Sequence, residues 1–154
     1  MPRAFALGAA LALPLLALLA VPEAVADEPL DFGHVFDDAP LPVTTPRSGE
    51  TFSDAVLTFH VTGENPYSGD ANAIAAGKPL YDRHCQACHM PDGRGRMGPS
   101  LIDDTYQYPR SATDKGFFEV IYGGAAGAMQ GFGRRVDQDD LLKIMAYVET
   151  LRPD

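Results

Sequence analysis

The most informative feature of this chain is the run Cys85-Gln86-Ala87-Cys88-His89. The pattern C-x-x-C-H is the attachment site of a c-type haem. Two thiols at this spacing each form a thioether to one edge of a porphyrin, and the adjacent His89 is carried beneath the iron as its proximal ligand. The chain contains 2 cysteines, so neither thiol has a competing partner elsewhere. The sequence therefore predicts one covalently bound haem c.

The two cysteines have other interpretations. A disulfide between Cys85 and Cys88 is one of them. Thioredoxin-like redox motifs share the C-x-x-C spacing, but this sequence lacks the βαβ setting that they need. A zinc site would require two more Cys or His ligands at knuckle spacing, and these are absent from the sequence. The histidine that directly follows the second cysteine favours haem.

Residues 1–26 have the anatomy of a secretory signal peptide. Arg3 precedes 19 uncharged residues (4–22) rich in Leu and Ala, and Ala24-Val25-Ala26 is a small-x-small cleavage pattern. An uncleaved membrane anchor is the alternative, because such a stretch is nearly long enough to span a bilayer. Pro14 and the cleavage pattern favour removal. Since haem attachment to C-x-x-C-H requires export, both signals predict a periplasmic protein that needs no membrane after cleavage.

The overall charge limits the classes of partner. The chain has 12 Lys+Arg against 21 Asp+Glu, which gives a net charge of −9 at pH 7. Nucleic acid and anionic membrane surfaces are poor partners for such a protein. A partner with a positive or neutral docking face is easier to accommodate. Signal removal leaves 128 of the 154 residues, which is enough for one domain with a modest core.

We divide the rest of the chain into an N-terminal arm, residues 27–69, and a cytochrome c domain, residues 70–154. The arm has little helical periodicity and is rich in Pro, Asp and Thr, so it is predicted to be irregular. Strong β-formers in Ala55–Thr62 predict one or two short strands within it.

The second part is predicted to be helical. A helix begins at Asp70 or Asn72 and runs toward the haem motif, and Pro79 is expected to kink or interrupt it. Gly77 in this helix would let the final helix approach closely at Tyr147. Two further helices follow the haem motif, and their ends are indicated by Thr113-Asp114 with Gly123-Gly124, and by Asp137 as a cap. The fold class is therefore all-α, a helical domain wrapped around a haem.

The iron needs a ligand on its second face, unless that face is open for chemistry. The candidates are the other methionines and histidines: Met90, Met97, Met129, Met145, His34, His60 and His84. Met90 and His84 adjoin the haem motif and cannot reach around the ring. Met97 is only eight residues beyond His89, and Met145 lies on an apolar helix face, where core packing is the better interpretation.

Met129 is the predicted sixth ligand. It lies 40 residues beyond His89, in a run of small residues (123–132) that suits a strap across the distal face. His34 and His60 stay open as alternatives because the arm has no predicted position. A filled sixth site favours electron transfer over oxygen chemistry, and His/Met ligation raises the haem potential.

Residues after the haem motif are candidates for the rest of the pocket. The backbone carbonyl of Pro99 is predicted to hold the second ring nitrogen of the proximal histidine. Leu101 is expected to pack on the porphyrin. Tyr106, Tyr108 and Arg110 are candidates for holding the propionates, since Arg suits a carboxylate through bidentate bonding. Solvent-exposed loop positions are the competing interpretation.

Together with the haem motif and Met129, the segment Gly98-Pro99-Ser100-Leu101 resembles a class I cytochrome c. The chain is more closely similar to the cytochrome cL family, and most to the branch that serves lanthanide-dependent enzymes. That similarity covers about residues 55–152 and is carried by four segments: Thr62-Gly63-Glu64-Asn65-Pro66-Tyr67, Asp104-Thr105-Tyr106-Gln107-Tyr108-Pro109, Ile121-Tyr122-Gly123-Gly124-Ala125 and Met145-Ala146-Tyr147-Val148.

The resemblance implies a function. Members of this family are periplasmic one-electron carriers with His/Met ligation, here His89 and Met129. They accept electrons from a PQQ-dependent methanol dehydrogenase, pass them to a downstream cytochrome c or oxidase, and are not themselves enzymes. Some members carry calcium near the haem and extra disulfides; this chain has no spare cysteine for a disulfide, and a calcium site is doubtful.

Two other functions stay open. One is a general periplasmic c-type carrier for another redox partner, which would share the haem motif. The other is a haem enzyme or gas sensor with an open sixth position, which would bind carbon monoxide in its ferrous form.

Overall fold

The computed structural model describes residues 28–153, so the predicted signal peptide lies outside the described residues. Five α-helices and one 3-10 turn make up the regular structure within this range, and no strand occurs there. Two isolated bridges pair Gly33 with Pro40 and Gly124 with Gln130. The prediction of an all-α fold is confirmed. The helices are α1 (Asp54–Thr62), α2 (Ala71–His84), α3 (Gln86–His89), α4 (Asp114–Gly123) and α5 (Gln138–Glu149), with the 3-10 turn at Pro109–Ala112.

The predicted strand over Ala55–Thr62 is wrong, because this segment forms helix α1. The Ser53 side chain accepts a hydrogen bond from the Val56 N–H, and Gly63, at φ 72°, closes the last turn. Val56, Phe59 and His60 are buried, and their spacing of three and four residues places them on one face of the helix. The end signals and the buried face therefore outweigh the β-propensity of the individual residues.

Of the four helices after α1, two begin at a residue whose side chain makes a capping hydrogen bond. The Asp70 side chain accepts from the Ala73 N–H at 2.7 Å, which begins α2. Thr113 caps α4 in the same way. Asp137 precedes α5, but its side chain makes no capping hydrogen bond and is paired with Arg47 of the arm instead. Asp137 is thus the N-cap residue of α5, as predicted, but its side chain does not cap the helix.

Helix α2 runs through Pro79 without a break, contrary to the predicted interruption. Proline lacks the N–H that would bond to the carbonyl of Ala75. Both residues are exposed to solvent, so water can satisfy the carbonyl that the proline leaves without a donor.

The crossing of α2 over α5 places the end of α2, and the haem motif after it, against the C-terminal helix. A Cβ on Gly77 would lie 2.0 Å from the Lys143 carbonyl oxygen and 3.1 Å from the Tyr147 Cβ. The predicted close approach at Tyr147 is therefore present, and the Tyr81 and Tyr147 rings lie 5.4 Å apart beside it. None of the helices within residues 28–153 is both long and apolar enough to span a bilayer.

The arm shares its core with the helices. Val43 and Phe59 are fully buried and belong to the same hydrophobic cluster as the apolar face of α5. His60 Nε2 lies 2.8 Å from the Gln138 Oε1, and the Gln138 amide donates to the Val43 carbonyl at 2.8 Å. The Gln138 backbone N–H donates to Glu50 at 2.8 Å. Polar contacts thus attach the arm to the N-terminal end of α5.

Candidate haem site

A cavity of about 700 Å³ opens between the haem motif, the loop after it, α4 and α5. This volume lies within the range of sites that bind cofactors, roughly 300–1,000 Å³. The sequence-predicted site residues that line it are Cys85, Cys88, His89, Pro99, Leu101, Tyr106, Tyr108 and Met129. Residues separated by up to 44 positions in the chain are thereby brought to one cavity.

One helical turn presents the two cysteines to this cavity. The Cys88 and His89 N–H groups both donate to the Cys85 carbonyl, at 3.1 and 3.0 Å. Both cysteines are free thiols, so the disulfide alternative is not formed in the structure. Burial raises the pKa of the Cys85 thiol to about 12, and the neighbouring Cys88 adds to this effect. An apolar setting of this kind suits a sulfur that is to lie against a porphyrin edge.

His89 is held in one orientation. It is 6% exposed, and its Nδ1 lies 2.9 Å from the Pro99 carbonyl oxygen, as predicted from the sequence. A carbonyl can only accept, so Nδ1 carries the proton and the Nε2 lone pair is left for a metal. Gly98 packs directly against the ring, since a Cβ there would lie 2.6 Å from the His89 Cε1.

The loop after the haem motif folds back beneath it. The Gly98 N–H donates to the Cys88 carbonyl and the Gly95 N–H to the His89 carbonyl, each at 3.0 Å. Met97, which precedes the glycine against the imidazole, is 75% exposed. Met97 also lines the cavity, so its exclusion as sixth ligand stays a prediction.

A second loop carries Met129 to the cavity from the end of α4. Gly124 pairs with Gln130, and the Ala125 N–H donates to the Met129 carbonyl at 2.9 Å. Gly124 has φ 89°, and a Cβ there would lie 2.6 Å from the Gly131 nitrogen. The strap, residues 124–131, is therefore a tight loop that only glycine can close at this point.

Among the other candidate ligands, His84 and Met145 also line the cavity. His60 is buried and hydrogen-bonded to Gln138, and His34 Nε2 lies 3.2 Å from the Gly123 carbonyl oxygen. Neither histidine lines the cavity. Met145 is 3% exposed in the hydrophobic cluster, so it packs as the sequence indicated, with part of its surface on the cavity wall.

Arg110 is a sequence candidate for holding a propionate, but its side chain does not line the haem cavity in this structure. It lines a second cavity, where it pairs with Asp38 and lies 3.2 Å from a Glu119 oxygen. Glu119 is only 1% exposed, and it also pairs with Lys115 at 2.6 Å and accepts the Gly33 N–H at 2.9 Å. A buried carboxylate requires cationic or hydrogen-bonding partners. Arg110 is one of the partners of Glu119, so its guanidinium lies beside Glu119 and not in the haem cavity.

A cationic residue that sequence reasoning missed lies on the cavity wall instead. Arg152 donates to the Tyr106 hydroxyl at 2.8 Å and to the Asp103 carbonyl at 3.0 Å. Its guanidinium lies 5.4 Å from the centre of the Tyr106 ring. A lone arginine after the last helix carries no sequence signal, and only the packing of the C-terminus reveals it.

These residues fit a covalently attached haem. Two thiols, the His89 imidazole oriented by a carbonyl and the Met129 thioether share one cavity, whose lining also includes apolar residues of α5 and the guanidinium groups of Arg135 and Arg152. Among residues 28–153, no group of three or more His, Cys, Asp and Glu side chains is arranged to hold a separate metal ion.

Comparison with known proteins agrees with this geometry. The family model described as cytochrome c oxidase, cbb3-type, subunit III matches residues 72–148. The chain is 32% identical over 145 residues to cytochrome c-L of Methylorubrum extorquens, covering 94% of this chain and 74% of that protein. It is 29% identical to the cbb3-type oxidase subunit CcoP of Azospirillum sp., but covers only 34% of that protein.

Two solved structures are similar over most of the chain. The first is cytochrome CL from the marine methylotrophic bacterium Methylophaga aminisulfidivorans, with 40% identity and a TM-score of 0.76, covering 80% of this chain and 81% of that one. The second is cytochrome cL from Hyphomicrobium denitrificans, with 33% identity and a TM-score of 0.78, covering 82% and 76%. Similarity of this extent, joined to a cavity that fits haem c, establishes that the chain belongs to the cytochrome cL family of electron-transfer proteins, which are class I c-type cytochromes and not enzymes.

Proposed function

We propose that this protein is a periplasmic one-electron carrier that accepts electrons from a PQQ-dependent methanol dehydrogenase and passes them to a downstream cytochrome c or oxidase. The observation that carries the proposal is the single cavity shared by the haem motif and a strap of small residues. Similarity to a cytochrome cL from a methylotrophic bacterium supports the choice of donor.

In this proposal Cys85 and Cys88 would hold the haem covalently, and His89 and Met129 would ligate its iron. The bound haem supplies a redox centre that changes by one electron. The Pro99 carbonyl keeps the His89 ring in one orientation through the 2.9 Å contact to Nδ1. An imidazole that is already held in place would need little rearrangement when the bound group gains or loses an electron, which favours fast electron transfer.

The walls of the cavity keep water away from the redox centre. Ile144, Met145 and Val148 on α5 are at most 3% exposed, and all three line the cavity. Such an apolar setting disfavours the state of higher charge and so tunes the potential. Arg152 and Tyr106 are the polar groups that we assign to the haem propionates.

The strap allows a short electron-transfer distance between the cavity and a docked partner. Ala126, Gly127 and Ala128 are exposed and line the cavity. A Cβ added at Gly127 would meet nothing within 4 Å. Because these side chains are small, a docked partner comes close to whatever the cavity holds, and electron tunnelling falls steeply with distance.

The test is rapid mixing of the oxidised holoprotein with a methanol-reduced PQQ dehydrogenase from the same cell. Fast and saturable appearance of ferrous haem is the expected result, since it reports a specific complex. Reduction that is slow, or that rises without saturation, would remove the methanol dehydrogenase from the proposal. A PQQ dehydrogenase for an unrelated substrate serves as the control.

A further inference from the structure

A turn in the arm exposes a large aromatic side chain. Residues 33–40 form this turn, which the Gly33–Pro40 bridge closes. Phe36 lies at its apex and is 57% exposed. A half-exposed phenylalanine contributes less to the core than a buried one, and aromatic side chains are enriched among the residues that carry the binding free energy of interfaces.

The turn is held firmly on the rest of the protein. The Gly33 N–H donates to the buried Glu119 at 2.9 Å, and His34 Nε2 donates to the Gly123 carbonyl at 3.2 Å. Within the turn, the Asp38 N–H donates to the His34 carbonyl at 2.9 Å. Phe36 is therefore presented in a fixed position, so little conformational entropy is lost when a partner binds it.

Phe36 also adjoins the rim of the haem cavity. Its ring lies edge-on to Tyr108, with 6.0 Å between the ring centroids. Tyr108 lines the cavity, and its hydroxyl accepts the Ala126 N–H of the strap at 3.0 Å. Phe36, Tyr108 and residues 126–128 thus form one continuous surface, here called the rim patch.

Charge distinguishes the partners that this surface can accept. Asp37 follows Phe36, and its side chain is 68% exposed. The whole chain carries −9, so a second copy would bring like charges together. A partner with an apolar pocket and a basic residue beside it complements the rim patch instead.

We propose that the rim patch is the docking site of the electron-donating dehydrogenase, with Phe36 inserted into an apolar pocket and Asp37 facing a basic side chain. This inference rests on the proposed function and adds a role for the arm. Aromatic anchors near the centre of an interface carry much of its binding free energy, and charges beside them mainly set the association rate.

The experiment measures the second-order rate constant for reduction of the oxidised holoprotein by the methanol-reduced dehydrogenase. Phe36→Ala is expected to lower it about tenfold, and Asp37→Asn to weaken its dependence on salt. Leu57→Ala is the matched control, because Leu57 is 51% exposed on α1 and does not line the cavity. It is expected to change the rate by less than twofold. Reduction by ascorbate, the absorption spectrum and the thermal midpoint are expected to be the same for all variants.

Each outcome gives a separate answer. A tenfold loss confined to the dehydrogenase reaction of Phe36→Ala supports the rim patch. Equal dehydrogenase rates for Phe36→Ala and the native protein would overturn this inference and leave the proposed function intact. Failure of the native protein to accept electrons from the dehydrogenase would overturn the proposed function. It would also overturn the assignment of the dehydrogenase as the partner that docks on the rim patch.

Discussion

Replacing Gly77 with alanine tests the helix crossing that sets up the haem cavity. The new Cβ would lie 2.0 Å from the Lys143 carbonyl oxygen, whereas real Cβ contacts are essentially never shorter than 3.0 Å. Because the neighbour is a backbone atom, α2 and α5 must move apart by about 1.0 Å. Overpacking of this kind costs about 1–3 kcal/mol or more.

Helix propensity predicts the opposite sign. In an exposed helix, glycine to alanine stabilises by about 1 kcal/mol. We expect the steric cost to prevail, with a net loss of about 2 kcal/mol and a fall in the thermal midpoint of roughly 6–10 °C. Thermal unfolding of the holoprotein, followed by far-ultraviolet circular dichroism, measures the change.

The control is Ala76→Gly, on the exposed side of the same helix. It is expected to destabilise by about 1 kcal/mol through propensity alone. A Gly77→Ala protein that unfolds at the same temperature as the native protein, or higher, would refute the close crossing. The same result would remove the reason given for the position of the haem motif against α5.

Three further predictions concern the surroundings of the site. Gly98→Ala places a Cβ 2.6 Å from the His89 ring, so the measured reduction potential is expected to shift while the thioether attachment, seen by mass, is retained. Glu119→Gln removes the buried charge beside Arg110 and is expected to lower the free energy of unfolding in urea by about 2 kcal/mol. For Asp139, burial raises the pKa, but hydrogen bonds and a nearby lysine outweigh it and hold the pKa below its usual value. Its contribution to stability is therefore present at neutral pH and is lost as the pH falls through the lowered folded pKa, so Asp139→Asn is expected to flatten the acid side of the stability profile.

The haem site was largely predictable because its chemistry depends on local spacing. The C-x-x-C-H motif fixes three groups within five residues, and the Pro99 carbonyl lies only ten residues beyond His89. Met129 was identified by its setting among small residues, and it lines the cavity. Its coordination to iron is still a prediction.

The features that were missed depend on contacts between distant parts of the chain. Arg110 pairs with Asp38, which is 72 positions away, and Arg152 reaches the Tyr106 hydroxyl across 46 positions. No pattern in a single sequence shows such pairings. The error at α1 has a different cause, since the capping Ser53 and the terminal Gly63 determine the structure of this segment more than its β-branched and aromatic residues do.

The most direct test of the account is the absorption spectrum of the ferric holoprotein and of two methionine variants. The native protein is expected to show the thioether-to-iron charge-transfer band, and Met129→Ala to lose it, with a lower reduction potential. Met97→Ala is expected to keep both, because Met97 is 75% exposed and adjoins Gly98, which packs against the His89 ring. A band that survives in Met129→Ala, or a native ferrous protein that binds carbon monoxide readily, would contradict a haem closed on both faces by His89 and Met129.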